Sequence, residues 1–385
     1  LIYLDNAAST KIHDDVLQEM LPYLKEKFGN PSSIHRYGRM AQKAIQKARK
    51  QVANLINADP SEILFTSGGT ESNNTALYGI TKKIPNSRII TSSIEHDAIL
   101  EPCKKLEKEG FEVIYLPVDN QGLVNSTDLS ETITKNTSLV SIMLGNNEVG
   151  TLQPVSEFVK ICHEQKVPFH TDAVQAVGKI PIDVKDIGID LLSISSHKLY
   201  GPKGVGALYV NKEIAIDPMI LGGGQEKGFR SGTENVANIV GFGKACEIAK
   251  NNFVENTKKM KELRDYLSTN ILQKINEVTL NGHPEKRLPN NVHLTFLGVN
   301  GEDLLIKLDE NEVAASTGSA CSVQIQKASH VLQAMGFSHE QITGSLRLTI
   351  GVSNTFKEMD ETIEILKKVV GELRSVSPFK EKYSF

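Results

Sequence analysis

The chain has 385 residues, 39% of them hydrophobic, with 43 Lys and Arg against 46 Asp and Glu and a formal net charge of −3. That length carries two or three domains with cores of their own. The near-neutral balance gives no basic field for nucleic acid or anionic membrane. The absence of Trp argues against a base-stacking platform, and no apolar run approaches the ~18 residues of a membrane span.

Nothing around Leu1-Ile2-Tyr3-Leu4-Asp5 resembles a basic or apolar targeting segment, so a cytoplasmic location is expected. From about residue 36 to 56, Ala41, Ala44, Ile45, Ala48, Val52, Leu55 and Ile56 recur at three- and four-residue steps. That spacing predicts an amphipathic helix with one buried face. Short apolar runs at 63–67, 88–92, 112–116, 139–144, 168–171 and 190–194 read as strands, and helical patterns such as 101–109 and 155–165 separate most of them. Alternation of this kind predicts an α/β fold with a mainly parallel sheet covered on both faces. Residues 207–210 read as one further, antiparallel strand.

A long helical region over 236–275 links two domains, and its Lys258-Lys259-Met260-Lys261-Glu262 run reads as a solvated face. Beyond it, 291–296 and 346–350 alternate like exposed-edge strands, and helices such as 360–373 flank them. The expected division is a large domain over 12–255 and a smaller α+β domain built from 1–11 and 256–385. Four widely separated cysteines, with no C-x-x-C pair, predict neither a disulfide framework nor a structural zinc site, and no metal site is expected. Cys103, Cys162 and Cys246 lie in helix-like stretches and read as small buried hydrophobes.

In parallel sheets the ligand site lies beyond the carboxyl ends of the strands. Gly68-Gly69-Thr70-Glu71 follows the first run, as a glycine turn into a helix N-terminus that suits an anion or serves as a plain cap. Glu95-His96 follows the second, Asn146-Asn147-Glu148 a later one, then Asp172 with Gln175, then Ser195, His197 and Lys198. Each alone has a structural reading. Together they gather an imidazole, amides, a carboxylate, hydroxyls and a lysine on one sheet edge. Lys198 ends a buried strand just ahead of Gly201-Pro202-Lys203-Gly204, where desolvation can bring an amine toward the pKa range of Schiff-base chemistry. This set is what pyridoxal phosphate needs: an amine for its aldehyde, donors for its phosphate, a carboxylate at the pyridine nitrogen and a flat group on the ring.

The order of these pieces resembles the fold-type-I pyridoxal-phosphate enzymes, aspartate-aminotransferase-like, in the class-V aminotransferase family. Within them it is similar to the cysteine desulfurases of the NifS/IscS type. The likeness rests on Tyr3-Leu4-Asp5-Asn6-Ala7-Ala8, Gly29-Asn30-Pro31-Ser32-Ser33, Phe65 through Asn73, Glu95-His96, Asn146-Asn147-Glu148-Val149-Gly150, His170 through Gln175, the Lys198 motif, and Gly222 through Thr233. It implies pyridoxal 5'-phosphate as cofactor. Lys198 would form the Schiff base and move protons at the substrate α-carbon, and Asp172 would pair with the pyridinium nitrogen. Gln175 and Asn147 would approach the ring oxygen, Asn147 also meeting substrate. His96 would stack on the ring and help with protons. Gly69, Thr70, Ser195 and His197 would hold the phosphate. Thr233 would reach the phosphate of the neighbouring subunit in a homodimer. Lys203 matches no Schiff-base position.

Cys321 sits in Ser316-Thr317-Gly318-Ser319-Ala320-Cys321-Ser322, a small, polar stretch that suits an exposed thiol. The resemblance makes this the catalytic loop: L-cysteine gives its sulfur to the Cys321 thiolate as a persulfide and leaves as L-alanine. A thiol of pKa ~8.5 is only a few per cent ionised at neutral pH, and His96 is the expected proton acceptor. Arg347, in Ser345-Leu346-Arg347-Leu348-Thr349, matches the arginine that grips the substrate carboxylate. The family often continues Gly-Arg where this chain has Gly351-Val352. The implied partner is an iron–sulfur scaffold protein or another sulfur acceptor, and Cys321 could share a cluster with such a scaffold transiently, since one thiol is no metal site by itself. A selenocysteine lyase or aminotransferase on the same fold, and a silent sulfur-carrier subunit, stay open.

Overall fold

The structure, a computed structural model, describes residues 1–317 and 328–377. Its strands are β1 (Ile2–Tyr3), β2 (Ile63–Thr66), β3 (Arg88–Ser92), β4 (Glu112–Leu116), β5 (Thr137–Ser141), β6 (Phe169–Asp172), β7 (Leu191–Ser195), β8 (Gly206–Val210), β9 (Val278–Leu280), β10 (Asn291–Phe296), β11 (Val313–Ala314) and β12 (Ser345–Thr349). Seven of them form one sheet in the order β2-β8-β7-β6-β5-β3-β4. β8 runs antiparallel to both of its neighbours, and every other pairing is parallel. The carboxyl ends of β2, β3, β5, β6 and β7 therefore share one edge. The central strands β5, β6 and β7 are buried at every position, as strands of a sheet covered on both faces are.

The helix Arg36–Leu55 forms where its spacing predicts, with Ala41, Ala44, Ile45, Ala48 and Val52 buried. Of these, Ile45, Ala48 and Val52 join Phe158, Phe169, Leu192 and Phe242 in the larger core. Each fully buried side chain of this size contributes about 1.5–3 kcal/mol. A second core gathers Ile2 and Leu4 with Met260, Leu267, Ile271, Leu294, Leu348, Ile363 and Leu366. Cys103, Cys162 and Cys246 are buried free thiols, and burial pushes the Cys103 and Cys162 thiols up to about 12, so they stay inert at neutral pH.

Two expectations are corrected. The helical region over 236–275 is two helices, Val236–Asn251 and Phe253–Lys274, with Asn252 closing the first through a backbone bond to Ile248. The break lets Ile239 and Phe242 pack in the first core while Met260 and Leu263 pack in the second. Likewise β10 is no exposed edge. It lies between β12 and β9, and all its residues are buried, as are those of β12. The polar residues of β10 that look solvent-facing are paired inside instead. Asn291 donates to the Glu148 carbonyl at 2.8 Å, and Asn281 donates to His293 at 2.9 Å and Thr295 at 2.8 Å.

Candidate active site

At the end of β2 the chain turns through Gly68 (φ 156, ψ −178), a conformation only glycine takes without strain. The helix Gly69–Thr81 starts there with no side chain capping its first amides. A Cβ on Gly69 would stand 2.8 Å from Val174 and 3.6 Å from Ser195, so glycine lets the helix start close against the β6 and β7 turns. Free amides and the helix dipole then face outward, as an anion requires.

Asp172 ends β6 and is 7% exposed. One carboxylate oxygen accepts from Asn73 at 2.6 Å and the other from the Val174 amide at 2.9 Å. Asn73 lies one turn after Gly69 on the same helix face, so the helix that offers the anion site also orients the carboxylate. Asn73 was not singled out from sequence, and its four-residue spacing from Gly69 was the available signal.

Lys198 closes the short turn Ser196–Lys198 after β7, and its Nζ donates to the carbonyls of Ala7 and Ala8, the latter at 2.7 Å. Gln175 donates to the same Ala7 carbonyl at 2.9 Å. Thr10 donates twice to the His197 carbonyl, both at 3.0 Å. The N-terminal stretch thus closes over the strand ends. Burial, with Lys198, Lys203 and Lys179 nearby, pushes His197 down to about 4, so its ring is neutral at pH 7. Lys179, 3% exposed and also not singled out, donates to the Gln175 carbonyl at 3.0 Å; burial and then Lys198 push it down to about 7.

His96 caps the helix Asp97–Lys108 and shares an open hollow with Thr70. Glu95 beside it is fully buried and accepts from Ser92 at 2.6 Å and Met143 at 2.9 Å. Burial pushes its carboxyl up to about 8. Arg347 is 3% exposed, on β12 opposite His293. It ion-pairs with Asp5 at 3.0 Å and donates to the Asn147 carbonyl at 2.9 Å. Arg347 Nε and the Asn147 side-chain oxygen are buried with no partner among the described residues. Thr233 is exposed, in the loop that Arg230 ties to Glu71 at 2.9 Å. Cys321 lies outside the described residues.

The aminotransferase class-V family matches residues 2–362. The chain belongs to that family. It is 49% identical over 384 residues to a protein named cysteine desulfurase IscS from Dictyoglomus turgidum, covering 99% of this chain and 98% of that one. A solved NifS-like protein superposes with a TM-score of 0.90 at 39% identity, over 97% of this chain and 100% of that one. A structure described as SspA in complex with cysteine matches with a TM-score of 0.83 at 37% identity, over 92% and 100%. This family member has the aspartate-aminotransferase-like architecture of fold type I and works with pyridoxal 5'-phosphate.

The residues present fit that cofactor. An uncapped helix start suits a phosphate, and a carboxylate held by Asn73 suits a protonated ring nitrogen. The unpartnered Asn147 side-chain oxygen suits a ring hydroxyl, and a lysine stands just past the end of the neighbouring strand.

Proposed function

We propose that this family member is a cysteine desulfurase: it takes L-cysteine, releases L-alanine and keeps the sulfur as a persulfide on Cys321. The observation that carries the reading is how both ends of the 318–327 segment are tied. Ser316 exchanges two backbone hydrogen bonds with Arg347, at 3.2 and 2.6 Å. On the other side, Ser329 donates to Glu148 at 2.5 Å and His330 meets the Glu95 carbonyl at 2.9 Å. Five steps of chain separate Ser316 from Cys321, which is a reach of at most about 18 Å. The described chain is therefore tied to Arg347 before the 318–327 segment and, after it, to the neighbours of Asn147 and His96.

Pyridoxal phosphate supplies the electron sink that loosens bonds at the substrate α-carbon. Arg347 and Asn147 orient the carboxylate and amino group, Lys198 removes and returns the α-proton, and Asp172 holds a proton at the ring nitrogen. Gly69, Thr70, Ser195 and the neutral His197 bind phosphate, Gln175 meets the ring oxygen, and the His96 ring lies against the cofactor. The substrate C–S bond breaks and an S–S bond to Cys321 forms; of the two thiol protons, one ends on the alanine methyl and one on the persulfide. The working unit is a homodimer in which Thr233 completes the neighbouring phosphate site, and an iron–sulfur scaffold or similar acceptor takes the sulfur. The division into 12–255 and 1–11 with 256–385 belongs to the same reading, supported by a core drawn entirely from 1–11 and 256–385. No helix among the described residues is long and apolar enough to cross a membrane, and we place the protein in the cytoplasm.

The test is Cys321→Ala. Alanine and sulfide release from L-cysteine should fall at least about 100-fold, while the absorbance of the lysine-bound cofactor is unchanged. Undiminished release would remove the desulfurase mechanism and leave another activity on the same fold.

A further inference from the structure

We infer that His96 works as a neutral hydrogen-bond donor and takes up no proton during turnover. The inference deepens the desulfurase reading and rests on it for the identity of the substrate. His96 occupies the N-cap of Asp97–Lys108 in extended conformation (φ −66, ψ 152), and its Nδ1 accepts from the Ala98 amide at 3.0 Å. A backbone amide can only donate, so Nδ1 presents a lone pair. The single proton of the neutral ring is then on Nε2.

A second proton could enter only at Nδ1. It would set two N–H groups against each other and strip the amide of Ala98, a buried residue, of its acceptor. It would also place a cation at the positive end of a 12-residue helix. The remaining proton on Nε2 cannot be given up either without forming an imidazolate. What remains is a fixed donor that polarises its neighbour without exchanging protons, the behaviour that a helix N-terminus imposes on a histidine elsewhere. The ring shares its hollow with Thr70, in the first turn of the helix whose start suits phosphate, which is where the desulfurase reading puts the cofactor. The Cys321 proton must then leave to a base other than His96. His13 and His35 also accept a helix N-terminal amide at Nδ1, at 3.1 and 3.3 Å.

The test is solid-state ¹⁵N NMR of the cofactor-loaded protein with labelled histidines, His96 being assigned by its loss in His96→Gln. At neutral pH the expected spectrum has a non-protonated Nδ1 and a protonated Nε2. A ring protonated at Nδ1, or at both nitrogens, overturns the inference. A second measurement is the single-turnover rate of persulfide formation. His96→Gln keeps an amide donor and should stay within about 10-fold of wild type, whereas His96→Leu should fall about 100-fold. Equal losses of about 100-fold in both variants would mark a proton-transfer role, and undiminished rates in both would leave no donor role; either result overturns the inference. The ring spectrum needs no turnover, so it stays decisive even if Cys321→Ala refutes the desulfurase reading.

Discussion

The two larger sheets contribute to the candidate site in different ways. The seven-stranded sheet offers its strand ends: Asp172, Lys198 and the Gly68 turn all follow the last residue of a strand or close to it. The three-stranded sheet offers a strand face: Arg347 sits in the middle of β12, opposite His293 on β10, with both side chains buried. Strand ends are free to vary without disturbing a ladder, so function there costs the fold little. A buried arginine in mid-strand must be compensated inside, and Asp5 and the Asn147 carbonyl do so. The strand-face contribution is thus tied to folding, and the strand-end contribution is largely separate from it.

The largest effect expected from this contrast is at a strand end. Asp172→Ala removes the carboxylate that would face the ring nitrogen, and kcat/KM for L-cysteine should drop about 1,000-fold, about 4 kcal/mol. The denaturation midpoint should fall less than in the strand-face variant Arg347→Lys, since only the Asn73 side chain and the Val174 amide lose an acceptor. A large loss of stability with retained catalysis would reverse the assignment. On the strand face, Arg347→Lys keeps charge and loses the two-pronged geometry. Steady-state kinetics should show kcat/KM down about 100-fold, carried mainly by KM, and here thermal stability should fall as well. If stability is unchanged, the distinction between the two sheets fails.

The smallest effect is one of pH. His170, in β6, lies between Ser141 at 2.8 Å and Ser193 at 3.0 Å, and burial pushes its ring down to about 3 from an ordinary 6.5. The unfolded chain binds that proton first, so the stability tied to the neutral ring is complete above about pH 6.5 and is lost as pH falls toward 3. The slope can reach about 1.4 kcal/mol per pH unit. Urea midpoints at about pH 7 and about pH 5 should lie closer together in His170→Asn than in wild type. Equal separations would assign the acid sensitivity to other groups.

Much of this was legible in the chain of letters because its signals are local. Apolar runs bounded by turns marked β3 and β4 at their observed limits, and three-to-four spacing marked the buried face of Arg36–Leu55. The polar residues that follow each run marked the edge proposed for the cofactor, because strand direction and connection rules bring those ends together. Less legible was whatever depended on a partner far along the chain. Asn291, His293 and Thr295 looked like a solvated face because the sequence does not show the Glu148 carbonyl and Asn281 that satisfy them.

By itself, then, the sequence determined the strand–helix alternation, the chemical set at the strand ends, and the presence of one thiol in a small, polar stretch. The tertiary structure decided which atoms of those residues are already committed. It bound Asp172 to Asn73, Arg347 to Asp5, Lys198 to the N-terminal stretch, and His96 Nδ1 to Ala98. Residue type sets what a group can donate or accept. Only the fold sets which lone pairs and protons remain for chemistry, because a buried polar group must find its partner wherever the chain brings one.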